Sequence, residues 1–183
     1  MSIIKTLEGF ICSGRSSNEF ALWVKVEVDI GLATRRLLIL GPTFRRNSSE
    51  STLTAMERYY GVFFRVARKH LEQVRDVDVV VMIDDLTLVD GNSYLPYIPP
   101  EGEEWGKQSF SKEVYEEAKA KNEAFLSKKL SSGNYSEIYI AMGKKYAEAL
   151  PNLSHHKVVF PTCGGLGPKA KALKEWISGE NDD

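Results

Sequence analysis

Cysteine is nearly absent from this chain. Only Cys12 and Cys163 occur in 183 residues, far apart and not in a Cys-x-x-Cys pair. That excludes a disulfide framework and a cysteine-based metal site, and both thiols read as small buried side chains. Long apolar runs are missing too. None approaches the ~20 residues of a membrane-spanning helix, so no membrane partner is expected. The N-terminal stretch MSIIKTLEGFICSG lacks the basic start and extended apolar segment of a secretory signal, which makes the cytoplasm the expected location. An excess of one charge is lacking as well: 24 Lys and Arg stand against 25 Asp and Glu, for a net charge of −1. That balance argues against a general nucleic-acid coat and leaves room for a local basic patch.

The strict catalytic and cofactor motifs are missing. No Gly-x-x-x-x-Gly-Lys-Ser/Thr occurs, and Gly165-x-Gly167 lacks the third glycine of the dinucleotide fingerprint. Neither ATP nor NAD is supported, and no cofactor is expected. No Gly-x-Ser-x-Gly elbow appears. His155 and His156 are adjacent, so their side chains diverge and cannot ligate a metal as an i, i+4 pair would. His70 falls on the apolar side of a helical pattern and reads as a core residue.

What is present is an alternation of strand and helix signals. Hydrophobic residues make up 43% of the chain, enough for a core, and the length suits one domain with an appendage. The first 35 residues alternate in polarity. FALWVKVEVDI, with IIKTLEGFIC as its partner and SGRSSNE as the turn, predicts a β-hairpin extension over 1–35. From residue 36 short continuous apolar runs take over, at 36–40, 78–83, 137–142 and 157–160. Runs of this kind suit strands buried on both faces of a parallel sheet. Helical periodicity fills the gaps. One helix is predicted from Ala55 to about Val74, opened by a capping box of Thr54 and Glu57. A second follows Ser111 as N-cap, and shorter helices are expected in GKKYAEAL and PKAKALKEWI. The predicted fold is a three-layer α/β/α domain over 36–178 with a largely parallel sheet, followed by a frayed tail at 179–183. A Pro-rich stretch from Leu86 to Gln108 reads as a long loop with a functional role.

Ligands of open α/β sheets sit beyond the carboxyl ends of the strands. Applied to the predicted strands, that rule collects Thr43, Arg45 and Arg46; Asp84 and Asp85; Lys144; and the turn containing Gly164, Gly165 and Gly167. The cations and the glycine amides suit a phosphate or another anion. Asp84 and Asp85 are the carboxylates for acid/base work. Tyr94 and Tyr97, in the Pro-rich stretch, are placed to cover a planar ligand.

Several stretches in order carry a resemblance: GPTFRRNSSESTLTAMERYYGVFFRVARK, VDVVVMIDDLTLVDGNSYLPYIPPEGEEW, YSEIYIAMGKKYAEAL and FPTCGGLGPKAKALKEWI. Over residues 36–178 the chain resembles a family of uncharacterised microbial α/β domains. That family is similar to the C-terminal, uracil-DNA-glycosylase-like domain of archaeosine synthase. The shared elements are Ala55, Tyr59, Gly61 and Phe64; Gly143, Lys144 and Tyr146; and Gly165, Leu166 and Gly167. The chain departs from the pattern after the first strand, where Phe44 stands at an expected lysine position. It departs again after the second strand, where Asp84–Leu88 replaces a tyrosine–glycine pair. The resemblance implies a nucleotide- or nucleic-acid-linked domain, related to nucleobase or tRNA modification, with altered site loops. A nucleotide, RNA or DNA would then be the ligand. The alternative is a non-catalytic domain that binds a protein or forms a homodimer through the N-terminal hairpin, so whether the chain is an enzyme stays open.

Overall fold

The computed structural model describes residues 34–99, 110–161 and 164–179 in full, and residues 4–7 and 26–29 as strand backbone. The expected turn at 13–19, both cysteines, Trp105 and residues 180–183 lie outside the described residues. The chain divides into two units, Met1–Ala33 and Thr34–Asp183. In the first, β1 (Ile4–Leu7) pairs antiparallel with β2 (Val26–Asp29), Ile4 facing Asp29 and Leu7 facing Val26.

The second unit opens with β3 (Arg35–Leu40), β4 (Thr52–Thr54), α1 (Ala55–Arg58) and α2 (Val62–Leu71). It continues through β5 (Val77–Met82), β6 (Leu88–Asp90), β7 (Tyr94–Pro96) and α3 (Lys112–Ser132). Strand β8 (Tyr135–Ala141), α4 (Lys144–Ala147), β9 (Val158–Val159) and α5 (Leu166–Ser178) complete it. Five strands form one sheet in the order β6-β5-β3-β8-β9. Strands β5, β3, β8 and β9 are parallel neighbours, and β6 pairs antiparallel with β5 at one edge.

Side chains alternate across a strand, so the apolar runs feed two cores. Leu37 and Ile39 of β3 pack with Val80, Met82, Ile138 and Ile140, and with Ala118 and Leu126 of α3. Leu38 and Leu40 face the other way, onto Tyr59, Phe64 and Ala67 and onto Leu173 and Ile177 of α5. All four β3 residues are fully buried. That explains why the sequence shows unbroken apolar runs rather than alternation.

The structure departs from the sequence reading in two places. The helix expected over 55–74 is broken into α1 and α2. Tyr59 is extended, with φ −90° and ψ 138°, and it forms an antiparallel bridge with Arg46. The Tyr60 amide donates to the Arg45 carbonyl at 2.7 Å and the Asn47 amide to the Arg58 carbonyl at 2.8 Å. These bonds use backbone groups that a continuous helix would keep for itself. Second, the stretch expected to be a loop from Leu86 carries β6 and β7, the latter paired with β4. Three-residue strands are too short to show periodicity, and the partner of β7, strand β4, is far away in sequence, while β6 pairs with the neighbouring β5.

Candidate functional site

Strand β3 lies at the centre of the sheet. From β3 the chain passes through α1 and α2 on one face to reach β5. It later passes through α3 on the opposite face to reach β8, on the other side of β3. The strand order therefore reverses at β3, and a crevice opens beyond the ends of β3 and β8. A cleft of about 620 Å³ lies there, with Gly41–Arg45, Gly61–Arg65, Ala141–Gly143 and Tyr146 around it.

Close backbone approach makes this cleft. The Gly41 amide donates to the Ala141 carbonyl at 3.1 Å, and a β-carbon on Gly41 would stand 2.4 Å from that of Met142. Only glycine fits between these strand ends. A β-carbon on Gly61 would meet the Thr43 hydroxyl at 2.9 Å, so the β3 loop and the start of α2 are pressed together.

The cleft is aromatic on one side and electropositive on another. Phe44 and Tyr60 are 46% and 48% exposed, and Leu166, 62% exposed, lies beside them. The guanidinium groups of Arg65 and Arg68 sit 5.9 and 5.3 Å from the centre of the Tyr60 ring. Gly61 is the N-cap of α2 and offers no side-chain cap, and the first turn holds no acidic residue. The first amides of a helix lack helical acceptors and carry its positive dipole end. Arg65 and the exposed Arg45 stand at the same opening.

A second, smaller cavity of about 320 Å³ lies beyond the end of β5. Arg46, with a side chain only 5% exposed, forms an ion pair with Asp84 Oδ2 at 2.7 Å. Its guanidinium also donates to the Ile98 carbonyl and lies 5.8 Å from the centre of the Tyr59 ring. Burial pushes the Asp84 carboxyl above the ordinary carboxylate value, against the opposing pull of Arg46 and the Tyr59 hydroxyl. Burial also raises the Tyr59 phenol, and the Asp84 charge adds to that. Tyr146, at the larger cleft, is raised by burial and by the same charge.

The turn that carries Asp84 is fixed from behind. Asn122 of α3, 1% exposed, accepts from the Leu88 amide at 2.8 Å through Oδ1. Its Nδ2 donates to the Leu86 and Ala149 carbonyls at 2.8 and 2.9 Å. Leu86 adopts φ 68°, a left-handed conformation that costs a leucine energy and needs such support.

The residues expected from sequence separate into groups. Thr43 and Arg45 border the larger cleft; Arg46 and Asp84 form the ion pair in the smaller cavity. Asp85 borders that cavity too, but its Oδ1 accepts from the Thr87 amide at 3.0 Å and the Thr87 hydroxyl at 2.6 Å, closing its own turn. Lys144 is exposed at the start of a four-residue helix and borders neither space. Among the described residues of the glycine turn, only Leu166 reaches the cleft. Gly164 takes φ 81°, Gly165 caps α5, and Gly167 lies inside that helix. Tyr94 is 73% exposed on β7, and Tyr97 lies 5.4 Å from the Arg58 guanidinium. Neither tyrosine borders either space.

Tyr60 and Phe63 fall inside the stretch that reads as one packed helix, and nothing in the sequence singles out Arg58, Met142 or Asn122. Gly61 was the available signal: a glycine inside a helical pattern marks a break or a close approach. Among the described residues, no group of three His, Cys, Asp or Glu side chains is arranged to hold a metal ion. No helix among them is long and apolar enough to cross a membrane. Comparison with family models, curated proteins and solved structures finds no match to this chain.

Proposed function

We propose that this chain is a three-layer α/β/α domain with an N-terminal hairpin extension, and that it binds a nucleotide or a nucleic-acid end in the larger cleft. The resemblance to the archaeosine synthase domain implies the same ligand class. The observation that carries the reading is a juxtaposition at the strand-order reversal. Aromatic side chains, Tyr60 and Phe63, stand beside the uncapped start of α2 and beside Arg45 and Arg65. Rings suit the planar base, and helix amides with guanidinium groups suit phosphate. In this reading phosphate sits at the start of α2 rather than at the Gly164–Gly167 turn. Of the two carboxylates expected to act as acid or base, Asp84 is favoured, because Asp85 is engaged in its own turn.

The test is an amide-resolved NMR titration with mononucleotides and their nucleosides at low salt. Nucleotides are expected to perturb Thr43, Tyr60 and Phe63 and to bind at least tenfold more tightly than nucleosides, an advantage that Arg45→Glu removes. Equal binding of nucleotide and nucleoside, or no response at these residues at millimolar ligand, would sink the proposal.

A further inference from the structure

The larger cleft depends on a residue that does not border it. Tyr60 forms part of the cleft wall, yet it is 48% exposed, so burial does not hold its ring. It lies between α1 and α2, outside both helices. Its amide donates to the Arg45 carbonyl at 2.7 Å, which fixes the backbone but not the side chain.

Arg68 supplies the missing support. In a continuous helix the Met56 carbonyl would accept from the Tyr60 amide, but that amide is committed to Arg45. Arg68 Nη1 donates to the Met56 carbonyl instead, and to the Tyr59 carbonyl at 3.0 Å. The same guanidinium lies over the Tyr60 ring, 5.3 Å from its centre. One side chain therefore ties the end of α1, the linker and the ring to α2. Burial pushes the Arg68 pKa below the ordinary guanidinium value, with Tyr60 and Glu57 opposing, so the group is drawn partly out of water at this position. Arg65, one turn earlier on α2, approaches the same ring at 5.9 Å but is exposed and borders the cleft. Arg65 is thus placed to meet a ligand, and Arg68 to meet the ring.

The two tasks of Arg68 make different chemical demands. A lysine keeps the charge and the donors, so it can still reach the carbonyls. It lacks the flat, weakly hydrated guanidinium that stacks on an aromatic face. A ring ordered before binding removes part of the entropy loss that binding would otherwise incur.

We propose that Arg68 is a positioning residue which, given the nucleotide reading of the cleft on which this rests, holds the Tyr60 ring as the surface where a planar base stacks, without touching the ligand. The test begins without ligand. In the full chain, side-chain NMR should show NOEs between the Tyr60 ring, assigned with Tyr60→Leu, and the Arg68 side chain. Adenosine and uridine 5′-monophosphates are then titrated into wild type, Arg68→Lys, Tyr60→Leu and the double variant, each checked for folding by its amide spectrum. Arg68→Lys is expected to weaken binding about three- to tenfold, the size of ordering one side chain. It should weaken binding no further once Tyr60 is replaced by leucine. That failure of additivity marks action through the ring, whereas a merely structural role would weaken both backgrounds alike. Missing NOEs, no weakening by Arg68→Lys, or equal weakening in both backgrounds would overturn the proposal. If wild type binds neither nucleotide while the NOEs are present, the cleft reading fails and takes the stacking role with it. If nucleotides bind while the NOEs are missing, only the role of Arg68 fails.

Discussion

Asn122 shows how one residue can hold a site it does not enter. Its side chain satisfies an amide on β6 and two carbonyls, at Leu86 and Ala149. Asn122→Leu keeps the volume and orphans all three. The expected loss is about 2–4 kcal/mol, read from urea unfolding. Gly41 works through space rather than bonding. Gly41→Ala would drive a β-carbon into Met142, at an expected cost of roughly 1–3 kcal/mol. At Asp76, the hydrogen bond from Arg36 holds the carboxyl below its ordinary value, with burial opposing and the Arg36 charge adding. A lowered folded value means stability that is present above the unfolded carboxylate pKa and lost as pH falls through the folded one. Asp76→Asn should therefore lower the melting temperature near neutral pH, and the gap to wild type should close below about pH 4. Burial at Asp84 has the opposite sign: its contribution is complete below the ordinary carboxylate value and declines as pH rises through the raised one.

At the scale of the element, α1 is the informative case. Four residues are too few for a helix to persist alone. It is held by a complete capping box, in which the Glu57 amide donates to the Thr54 hydroxyl at 3.3 Å and the Thr54 amide to the Glu57 carboxylate at 3.2 Å. The Ala55 and Met56 amides donate to the Ser93 and Gly91 carbonyls at 2.8 and 3.0 Å. Thr54→Ala should cost about 1 kcal/mol. Because β4 leads directly into α1 and pairs with β7, the loss should also speed hydrogen exchange at Leu95. That coupling is measurable by peptide-resolved mass spectrometry. Long α3 behaves differently. Its Ser111 cap and 21 residues make it legible from sequence, and its buried stripe of Ala118, Asn122 and Leu126 follows the i, i+4 spacing of a packed face.

At the scale of the whole second unit, the sheet centre should be the last part to open. Strand β3 is bonded on both sides and buried on both faces, so amides of Leu37–Leu40 should exchange only through global unfolding. Amides of β6, at an edge, and of β4 and β7, in a two-stranded pair, should exchange faster. Native-state hydrogen exchange ranks them directly. Equal protection across these strands would contradict this account of where the stability lies.

The sequence by itself determined the α/β class, the four parallel strands, the capping box at Thr54 and the N-cap at Ser111. Each is a local property: an apolar run, a helical period, or a side chain that reaches its own backbone within three residues. It also placed Thr43, Arg45, Arg46 and Asp84 near the carboxyl edge, because strand ends follow from strand positions. Tertiary structure decided the rest. Strand order separates Arg45 from Arg46, giving the first to the cleft beside β8 and the second to the cavity beyond β5. The Arg46–Tyr59 bridge breaks a pattern that reads as one helix, and it turns Tyr60 from a packing residue into part of a cleft wall. The burial of Arg58 and Asn122 depends on partners up to 37 positions away. Such choices are made by backbone groups competing for partners across the fold, and no window of neighbouring residues records which partner wins.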